Sequence, residues 1–201
     1  MFLTIPFLTY ANLTNNEFHD EIGTNTSRKG FPLWKRQIKG TMHKYVYGYL
    51  EIDEFFDIYD KALKKSKYSR DPHFTVAGQT LYLYNKNYKL FKKKGVTCIR
   101  CDRSANVVVI EGTGHKHFID ANFYHVPEDP TKKAILITKD HRVPRALGGK
   151  DMIPNYNVMC ARCNNKKADS IDPTLTEDEI RQYRYTPEEY KKKYGKELAV
   201  A

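Results

Sequence analysis

The 201-residue chain has a hydrophobic fraction of 40%, which is typical of a folded protein and excludes wholesale disorder. Its 34 Lys and Arg residues against 24 Asp and Glu leave a formal charge of +10, which favours contact with a polyanion such as nucleic acid. No apolar run approaches the ~20 residues needed to span a bilayer, so we expect no membrane partner and a cytoplasmic location.

Residues 1–95 predict a basic and aromatic region of mixed α/β structure. The opening MFLTIPFLTY predicts a strand or docking segment rather than a signal peptide, because it lacks a basic n-region and a small-residue cleavage site. Aromatic and basic side chains then interleave at Trp34, Lys35, Arg36, Lys39, Tyr45, Tyr47 and Tyr49. Such interleaving suits a DNA-binding surface, but tyrosines at alternate positions are more typical of a strand face, which is the interpretation we favour.

Three elements are predicted in the rest of this region. Residues 51–69 repeat apolar side chains at spacings of three and four, which predicts an amphipathic helix. Residues 75–84 predict a strand broken near Gly78, with leucines on one face and tyrosines on the other. Residues 86–94 predict a short basic helix that ends at Gly95.

All four cysteines of the chain occur in two Cys-x-x-Cys pairs, Cys98 with Cys101 and Cys160 with Cys163. Each pair places two thiolates on one tight turn, and two such turns complete a tetrahedral zinc site. In a cytosolic chain with no cysteine left over, the pattern favours structural zinc over disulfides, isolated buried thiols or a redox pair. His115 and His117 are alternative ligands by residue type, although such histidines more often have a surface or packing role.

The last part of the cysteine-containing segment predicts a strand, a loop, a second strand and a helix. Residues 135–138 form a β-branched run that predicts the first strand, and an Asp-His pair stands near its end. A Gly-Gly pair permits a loop with unusual dihedral angles. Residues 156–159 predict the returning strand, and Cys160 opens a helix that runs to about Asp169. This arrangement brings Asp140, His141 and Asn164 toward one face.

The order of these motifs resembles the HNH endonuclease family, whose ββα-metal core carries Asp-His, Gly-Gly, Asn, Cys-x-x-Cys-Asn and Lys in succession. The corresponding residues are Asp140-His141, Gly148-Gly149, Asn155, Cys160-x-x-Cys163-Asn164 and Lys166-Lys167. The distances from His141, 14 residues to Asn155 and 23 to Asn164, are similar to those of the family. The resemblance covers about residues 96–170, and Asn122-Phe-Tyr124 adds a looser likeness to HNH proteins of bacteriophages.

The resemblance implies an α+β fold with a zinc-stapled ββα-metal core that hydrolyses DNA phosphodiesters and leaves 5′-phosphate and 3′-hydroxyl ends. His141 is then the general base, because an imidazole accepts a proton near neutral pH. Asp140 and Asn164 hold one Mg²⁺ or Mn²⁺ ion through hard oxygen ligands. Asn155 orients the loop through hydrogen bonds, with Asn157 as the alternative. Because Asn164 replaces the final His of the family motif, softer metals such as Zn²⁺ or Ni²⁺ are not expected at the catalytic site.

Basic side chains crowd the expected site and predict contacts with DNA phosphates. They are Arg142, Arg145, Arg162, Lys166 and Lys167, with Lys150 nearby.

Further along the chain, Thr176 and Thr186 each begin a predicted capping box, and Gly195 ends the second of two short helices. The chain is therefore divided into an N-terminal region (1–95), a nuclease domain (96–170) and a C-terminal helical tail (171–201).

The sequence thus predicts an endonuclease that acts on double-stranded DNA, in the host cytoplasm if a phage encodes it. One alternative is a zinc-ribbon module that binds nucleic acid without catalysis, and another is a nuclease for RNA or branched DNA. Asp140 and His141 are both present, which favours catalysis over a fold that has lost its activity.

Overall fold

The computed structural model describes residues 45–65, 72–76, 79–112, 119–129 and 131–198. The strands in these ranges are β1 (Tyr45–Leu50), β2 (His73–Val76), β3 (Gln79–Tyr82), β4 (Val107–Gly112), β5 (Ile119–His125), β6 (Ile135–His141) and β7 (Tyr156–Cys160). The helices are α1 (Ile52–Lys65), α2 (Lys86–Lys94), α3 (Ala161–Lys167), α4 (Glu177–Tyr183) and α5 (Pro187–Tyr194). Strands β1, β4, β5, β6 and β7 form one antiparallel sheet in that order, and β2 pairs with β3 in a second, smaller sheet. The predicted α+β class is confirmed.

Both helices predicted in the N-terminal region are present. α1 begins at Ile52, one residue later than predicted, and residues 66–69 of the prediction lie outside the described ranges. Its buried side chains follow the apolar spacing on which the prediction rests: Phe55, Tyr59 and Ala62. α2 has the predicted bounds, because Asn85 caps its first turn by accepting a backbone hydrogen bond at 2.9 Å and Gly95 ends it with a φ of +78°.

The segment predicted as one interrupted strand is instead a two-stranded hairpin. Thr75 lies opposite Thr80, and Val76 lies opposite Gln79, in antiparallel register. The chain therefore reverses direction where the sequence predicts only a break, near Gly78, which lies outside the described ranges. The predicted alternation of faces is confirmed, with buried Leu81 and Leu83 and exposed Tyr82 and Tyr84.

One buried cluster joins the helices of the N-terminal region to the later strands. The ring of Phe123 in β5 lies 4.9 Å from that of Phe91 in α2 and 5.2 Å from that of Phe55 in α1, measured between centroids. The same cluster extends to Val158 and Cys160 of β7. Burying one aromatic side chain stabilises a fold by about 1.5–3 kcal/mol. Since α1 and α2 supply aromatic side chains to the cluster that contains β7, both helices stabilise the position of that strand. The boundary at residue 95 stays a prediction.

The predicted strand–loop–strand–helix unit is formed by β6, β7 and α3. β6 continues past the β-branched run to His141, which lies opposite Tyr156 of β7. α3 follows Cys160, its N-cap residue, and ends at Lys167, two residues before the predicted end. The β-branched run forms the centre of the hairpin, and the helix folds back over it, which is the ββα core expected from the sequence.

The C-terminal helices begin where the sequence predicts. Thr176 and Thr186 each accept a backbone hydrogen bond at the third helical position, and Glu179 and Glu189 complete the two capping boxes. Gly195 ends α5 with a φ of +68°. None of the described helices combines the length and the apolar character that crossing a membrane requires.

The alternating tyrosines at 45, 47 and 49 fall within β1, as the strand interpretation predicts. Other predictions concern residues outside the described ranges: the apolar opening, the group of Trp34, Lys35, Arg36 and Lys39, and the pair of His115 and His117.

Candidate active site

The four cysteines form one cluster, in which the two Cys-x-x-Cys turns meet. Their Sγ atoms all lie within 4.8 Å of one another, and those of Cys101 and Cys160 approach to 3.7 Å. Thiolates about 2.3 Å from a tetrahedral zinc ion are about 3.8 Å apart, so the cluster fits the ion. Cys98 and Cys160 are fully buried, which suits a closed structural site.

The first turn of this cluster is held in place by backbone hydrogen bonds. The Cys98 amide donates to the Arg103 carbonyl at 2.9 Å, which closes the turn. The Ile99 amide donates to the Val158 carbonyl at 3.1 Å, which fixes the turn to β7 and so to the second cysteine pair. The Arg103 guanidinium lies 3.2 Å from the Cys101 sulfur, where its charge offsets that of the thiolates.

Asp140 is buried between β6 and α3, with 4% of its side chain exposed. Its Oδ1 accepts a hydrogen bond from Lys167 at 3.2 Å, and the same ammonium donates to the His141 carbonyl at 2.7 Å. Burial raises the pKa of Asp140, while the charge of Lys167 opposes that shift. Its Oδ2 is buried and finds no hydrogen-bond partner in the part of the chain that the structure describes. A buried carboxylate oxygen is stabilised when a cation meets it, so Asp140 fits the role of a metal ligand.

Asn164 of α3 lies on the same side of β6 as Asp140. Its amide nitrogen donates to Thr138 Oγ1 at 3.1 Å, and Thr138 precedes Asp140 by two residues on one strand face. With the nitrogen used in this way, the amide oxygen of Asn164 is the atom available to a cation. Asp140 and Asn164 therefore both lie on the α3 side of β6, the first with a carboxylate and the second with an amide oxygen.

His141 follows Asp140 in β6, and because successive side chains of a strand point to opposite faces, it lies on the face opposite Asp140 and Asn164. The prediction that all three side chains meet on one face is therefore wrong. The His141 Nε2 is 2.8 Å from Asp151 Oδ1, which also accepts the Tyr156 hydroxyl at 2.9 Å. The Tyr156 ring meets the imidazole edge-on, with centroids 4.9 Å apart and an interplanar angle of 88°. The imidazole is thus held by a carboxylate and an aromatic ring, and it makes no hydrogen bond to Asp140 or Asn164 among the described residues.

The electrostatics of this group favour a neutral imidazole beside an ionised carboxylate. Burial lowers the pKa of His141, and the hydrogen bond to Asp151 opposes this only in part. Burial alone would raise the pKa of Asp151, but hydrogen bonds from His141 and Tyr156 outweigh it and lower the pKa to about 2. Near neutral pH, Nε2–H therefore donates to Asp151 and Nδ1 carries the lone pair, which is the tautomer of a carboxylate-oriented general base.

Asn155 is fully buried and connects parts of the loop between β6 and β7. Its Oδ1 accepts from the Val143 amide at 2.8 Å, and its Nδ2 donates to the carbonyls of Val143 at 3.2 Å and Lys150 at 2.9 Å. A Cβ atom at Gly149 would lie 1.8 Å from the Val143 carbonyl oxygen, and Gly148 has a φ of +83°. Both positions therefore require glycine.

Asp172, beyond α3, connects the following segment to the end of β6. Its carboxylate accepts hydrogen bonds from Asn157 at 2.8 Å and from Arg142 at 3.2 Å, in addition to those of Thr174. Burial would raise the pKa of Asp172, but the hydrogen bonds of Thr174, Arg142 and Asn157 outweigh it and lower the pKa to about 2. Asn157, the sequence-based alternative to Asn155, thus contacts Asp172.

The predicted DNA-contacting cations fall into two groups. Three are exposed at the surface: Arg145, Arg162 and Lys166. The other three have acidic partners, Arg142 with Asp172, Lys167 with Asp140 and Lys150 with Glu189. Lys167 is 5% exposed by side chain and lies beneath α3, so it does not reach a phosphate at the surface. The prediction that it contacts DNA is corrected by this burial.

The C-terminal tail supports the glycine loop. Gly149 forms an antiparallel bridge with Arg184, and the Lys150 amide donates to the Tyr183 carbonyl at 2.7 Å. The tail therefore holds the backbone one residue before Asp151, a contact that its predicted helices did not reveal.

Sequence reasoning missed two acidic residues of this region. Asp151 stands ten residues after His141, in the loop between β6 and β7. Nothing in the sequence around it indicates that this acidic residue returns to the histidine. Asp172 precedes a proline in what reads as a linker, and nothing in the sequence relates it to Arg142, 30 residues earlier.

Residues 129–179, about a quarter of the chain, match the family model of the HNH endonucleases. The match contains β6, the glycine loop, β7 and α3, together with Asp151 and Asp172. The resemblance inferred from the sequence is thereby confirmed for this segment. No curated protein and no solved structure was found to match the chain.

Proposed function

We propose that this chain, whose residues 129–179 match the HNH endonucleases, is a metal-dependent endonuclease that hydrolyses phosphodiester bonds of double-stranded DNA. The observation that carries the proposal is the hydrogen-bonded pair of His141 and Asp151. The residue before His141 is Asp140, whose buried Oδ2 has no hydrogen-bond partner among the described residues. Both features lie within the matched segment. The formal charge of +10 supports a polyanionic substrate.

His141 acts as the general base in this proposal. Its Nδ1 takes a proton from the attacking water as the water oxygen bonds to phosphorus and the bond to the 3′-oxygen breaks. The imidazolium that forms is stabilised by Asp151, which stays ionised because its pKa is about 2. Tyr156 donates its hydroxyl to the same carboxylate and so fixes its orientation. The leaving 3′-oxygen takes its proton from solvent water, so the products carry a 5′-phosphate and a 3′-hydroxyl.

Asp140 and Asn164 are the proposed ligands of the divalent ion, through a carboxylate and an amide oxygen. Such hard donors suit Mg²⁺ or Mn²⁺ better than a soft metal. When bound, the ion would neutralise charge on the scissile phosphate and on the leaving oxygen. Lys167 keeps Asp140 in its rotamer through Oδ1 and leaves Oδ2 for the ion. The cysteine cluster is proposed to bind zinc and to hold the core together.

Arg145 and Lys166 are the exposed cations proposed to contact the DNA near the cleaved bond. Arg145 follows His141 by four residues, and its positive charge contributes to the lowered pKa of the imidazole. The same charge would attract the phosphate. We place the enzyme in the cytoplasm, or in the host cytoplasm if a phage encodes it.

The proposal is tested by incubating supercoiled plasmid with Mg²⁺ and either the wild type or the His141→Ala variant. We expect nicked or linear DNA from the wild type, none after EDTA is added, and none from the variant at equal folding and zinc content. His73→Ala, which changes an exposed histidine of β2, serves as the matched control and should cut normally.

A plasmid that is shifted in the gel but never cut by the wild type would instead favour a zinc-containing binding module. Duplex RNA and a branched DNA are run in the same buffer. If the protein clearly cuts duplex RNA or branched DNA faster than linear duplex DNA, the preferred nucleic acid becomes the proposed substrate.

A further inference from the structure

We infer that a basic cavity beside the cysteine cluster is a second binding site for the DNA backbone, remote from the bond that is cut. The inference extends the proposed function and assigns a role to cations that the nuclease mechanism does not use. The cavity, of about 540 Å³, lies between the end of β5, the loop before β6 and the start of α3. Among the described residues, four permanently charged side chains and no carboxylate line it: Arg103, Lys132, Lys133 and Arg162.

The cysteine turns fix two of these cations. Arg103 follows Cys101 by two residues and contacts its sulfur at 3.2 Å. Arg162 lies between the two cysteines of the second pair. One arginine thus comes from each turn, and a metal that joins the turns would also fix the distance between the two arginines. The arginines can be explained in part by the negative charge of the thiolates, so they do not identify a ligand by themselves.

The two lysines have no such explanation. Lys132 approaches Asp129 at 3.5 Å, but the side chains are 70% and 42% exposed, and an ion pair of that kind contributes little. Lys133 is exposed and has no acidic partner within the described residues. Four cations around one concavity repel each other, and an anion placed among them removes that repulsion. Phosphate groups of a nucleic-acid backbone supply such anions in a row.

The distance between the cavity and His141 matches a duplex substrate. Ile135, which lines the cavity, begins β6, and His141 ends it. Six strand steps of about 3.3 Å place them roughly 20 Å apart. At about 3.4 Å per base pair, that is roughly six base pairs of one duplex. The sites are more than two Debye lengths of about 8 Å apart at physiological salt, so the cavity would strengthen binding without changing the chemical step.

The test measures duplex binding in the His141→Ala background, where no cleavage interferes, between about 50 and about 200 mM salt. Two variants are compared, Lys132→Ala/Lys133→Ala and the control Lys192→Ala/Lys196→Ala, which removes the same charge from the exposed end of the α5 segment. Two lost phosphate contacts reduce the slope of log K against log salt by about 2, which corresponds to about 60-fold weaker binding at about 0.1 M salt. The control pair should change the slope by less than half as much. Equal effects from the two pairs, or no effect from the cavity pair, overturn the inference.

Cleavage by the otherwise unaltered chain separates this inference from the proposed function. The cavity variant should need more DNA for half-maximal rate and should reach the wild-type rate at saturation. If the wild type cuts no DNA but the cavity pair still governs the salt slope, the nuclease proposal fails and the second DNA site stands. If the wild type cuts and the cavity variant binds like its parent, the second site fails and the nuclease proposal stands.

Discussion

The Asp151→Asn substitution removes the charge that faces the His141 imidazole and nearly preserves the shape of the side chain. Asn can still accept from Nε2–H, so the tautomer is retained. The loss falls on the imidazolium that the proposed mechanism forms when water is deprotonated. Unit charges 2.8 Å apart attract by about 6 kcal/mol at an effective dielectric constant of 20 and by about 1.5 kcal/mol in bulk water. The side chains of His141 and Asp151 are 14% and 30% exposed, so the true attraction lies between these two values. We take a loss of transition-state stabilisation of about 3 kcal/mol, which lowers the rate roughly a hundredfold.

The pH dependence of the same variant has a defined sign. Burial already lowers the pKa of His141, and Asp151 is the group that raises it. Without the carboxylate the pKa falls further, so the neutral base persists to lower pH. We expect the acid limb of the pH–rate profile to move to lower pH while the plateau rate falls.

Single-turnover cleavage of a labelled duplex from about pH 5 to about pH 8 measures both effects. The control is Asp178→Asn, because the Asp178 side chain of α4 is 92% exposed. This substitution should leave the plateau rate and the midpoint of the acid limb unaltered. An Asp151→Asn enzyme with the wild-type plateau and the wild-type midpoint would refute the role given to this carboxylate.

Four further outcomes are expected. Lys167→Met leaves Asp140 buried without its cation and should lower the free energy of unfolding by about 3–5 kcal/mol, so an unchanged urea midpoint contradicts the buried ion pair. Asn155→Ala removes the three hydrogen bonds of a buried side chain and should cost about 3 kcal/mol in the same assay, and a loss below about 1 kcal/mol argues against the loop anchor. Cys160→Ser should bind less than one equivalent of zinc and melt at lower temperature, and full zinc content by atomic emission removes the cluster as the zinc site. Mg²⁺ at about 100 times its Kd should stabilise the zinc-loaded wild type by about 2.7 kcal/mol, and an equal shift in Asp140→Asn would exclude that carboxylate as a ligand.

Local signals in the sequence predict those features whose cause is local. The capping boxes at Thr176 and Thr186 satisfy amides of their own first turn, so a four-residue pattern is sufficient to place them. The start and the end of α2 are likewise determined by adjacent residues, the N-cap Asn85 and the C-cap Gly95. The cysteine pairs are predictable for a related reason, since a metal site has few solutions in ligand number and spacing.

Features that depend on packing between distant segments were not predictable. The ionised partner of His141 was missed because Asp151 reaches it only after the glycine loop has folded back on β6. Lys167 reads as a surface cation in a basic helix, and only the docking of α3 over β6 buries it against Asp140. A charge pattern alone therefore overestimates the number of cations that are free to contact a nucleic acid, because it cannot separate a solvated lysine from one that neutralises a buried carboxylate.

The pairing of Asp140 with Lys167 also explains how the proposed metal site stays formed without its ion. A carboxylate that met only the cation would be left buried and charged whenever the cation departed, and the segment would tend to open or to take up a proton. Lys167 prevents this by engaging Oδ1, while Oδ2 keeps its place. The same ammonium donates to the backbone carbonyl of His141, so one side chain contacts both the proposed ligand and the backbone of the proposed base. Preorganisation of this kind reduces the rearrangement needed when substrate and ion arrive, and it makes Lys167 a positioning residue although it touches neither.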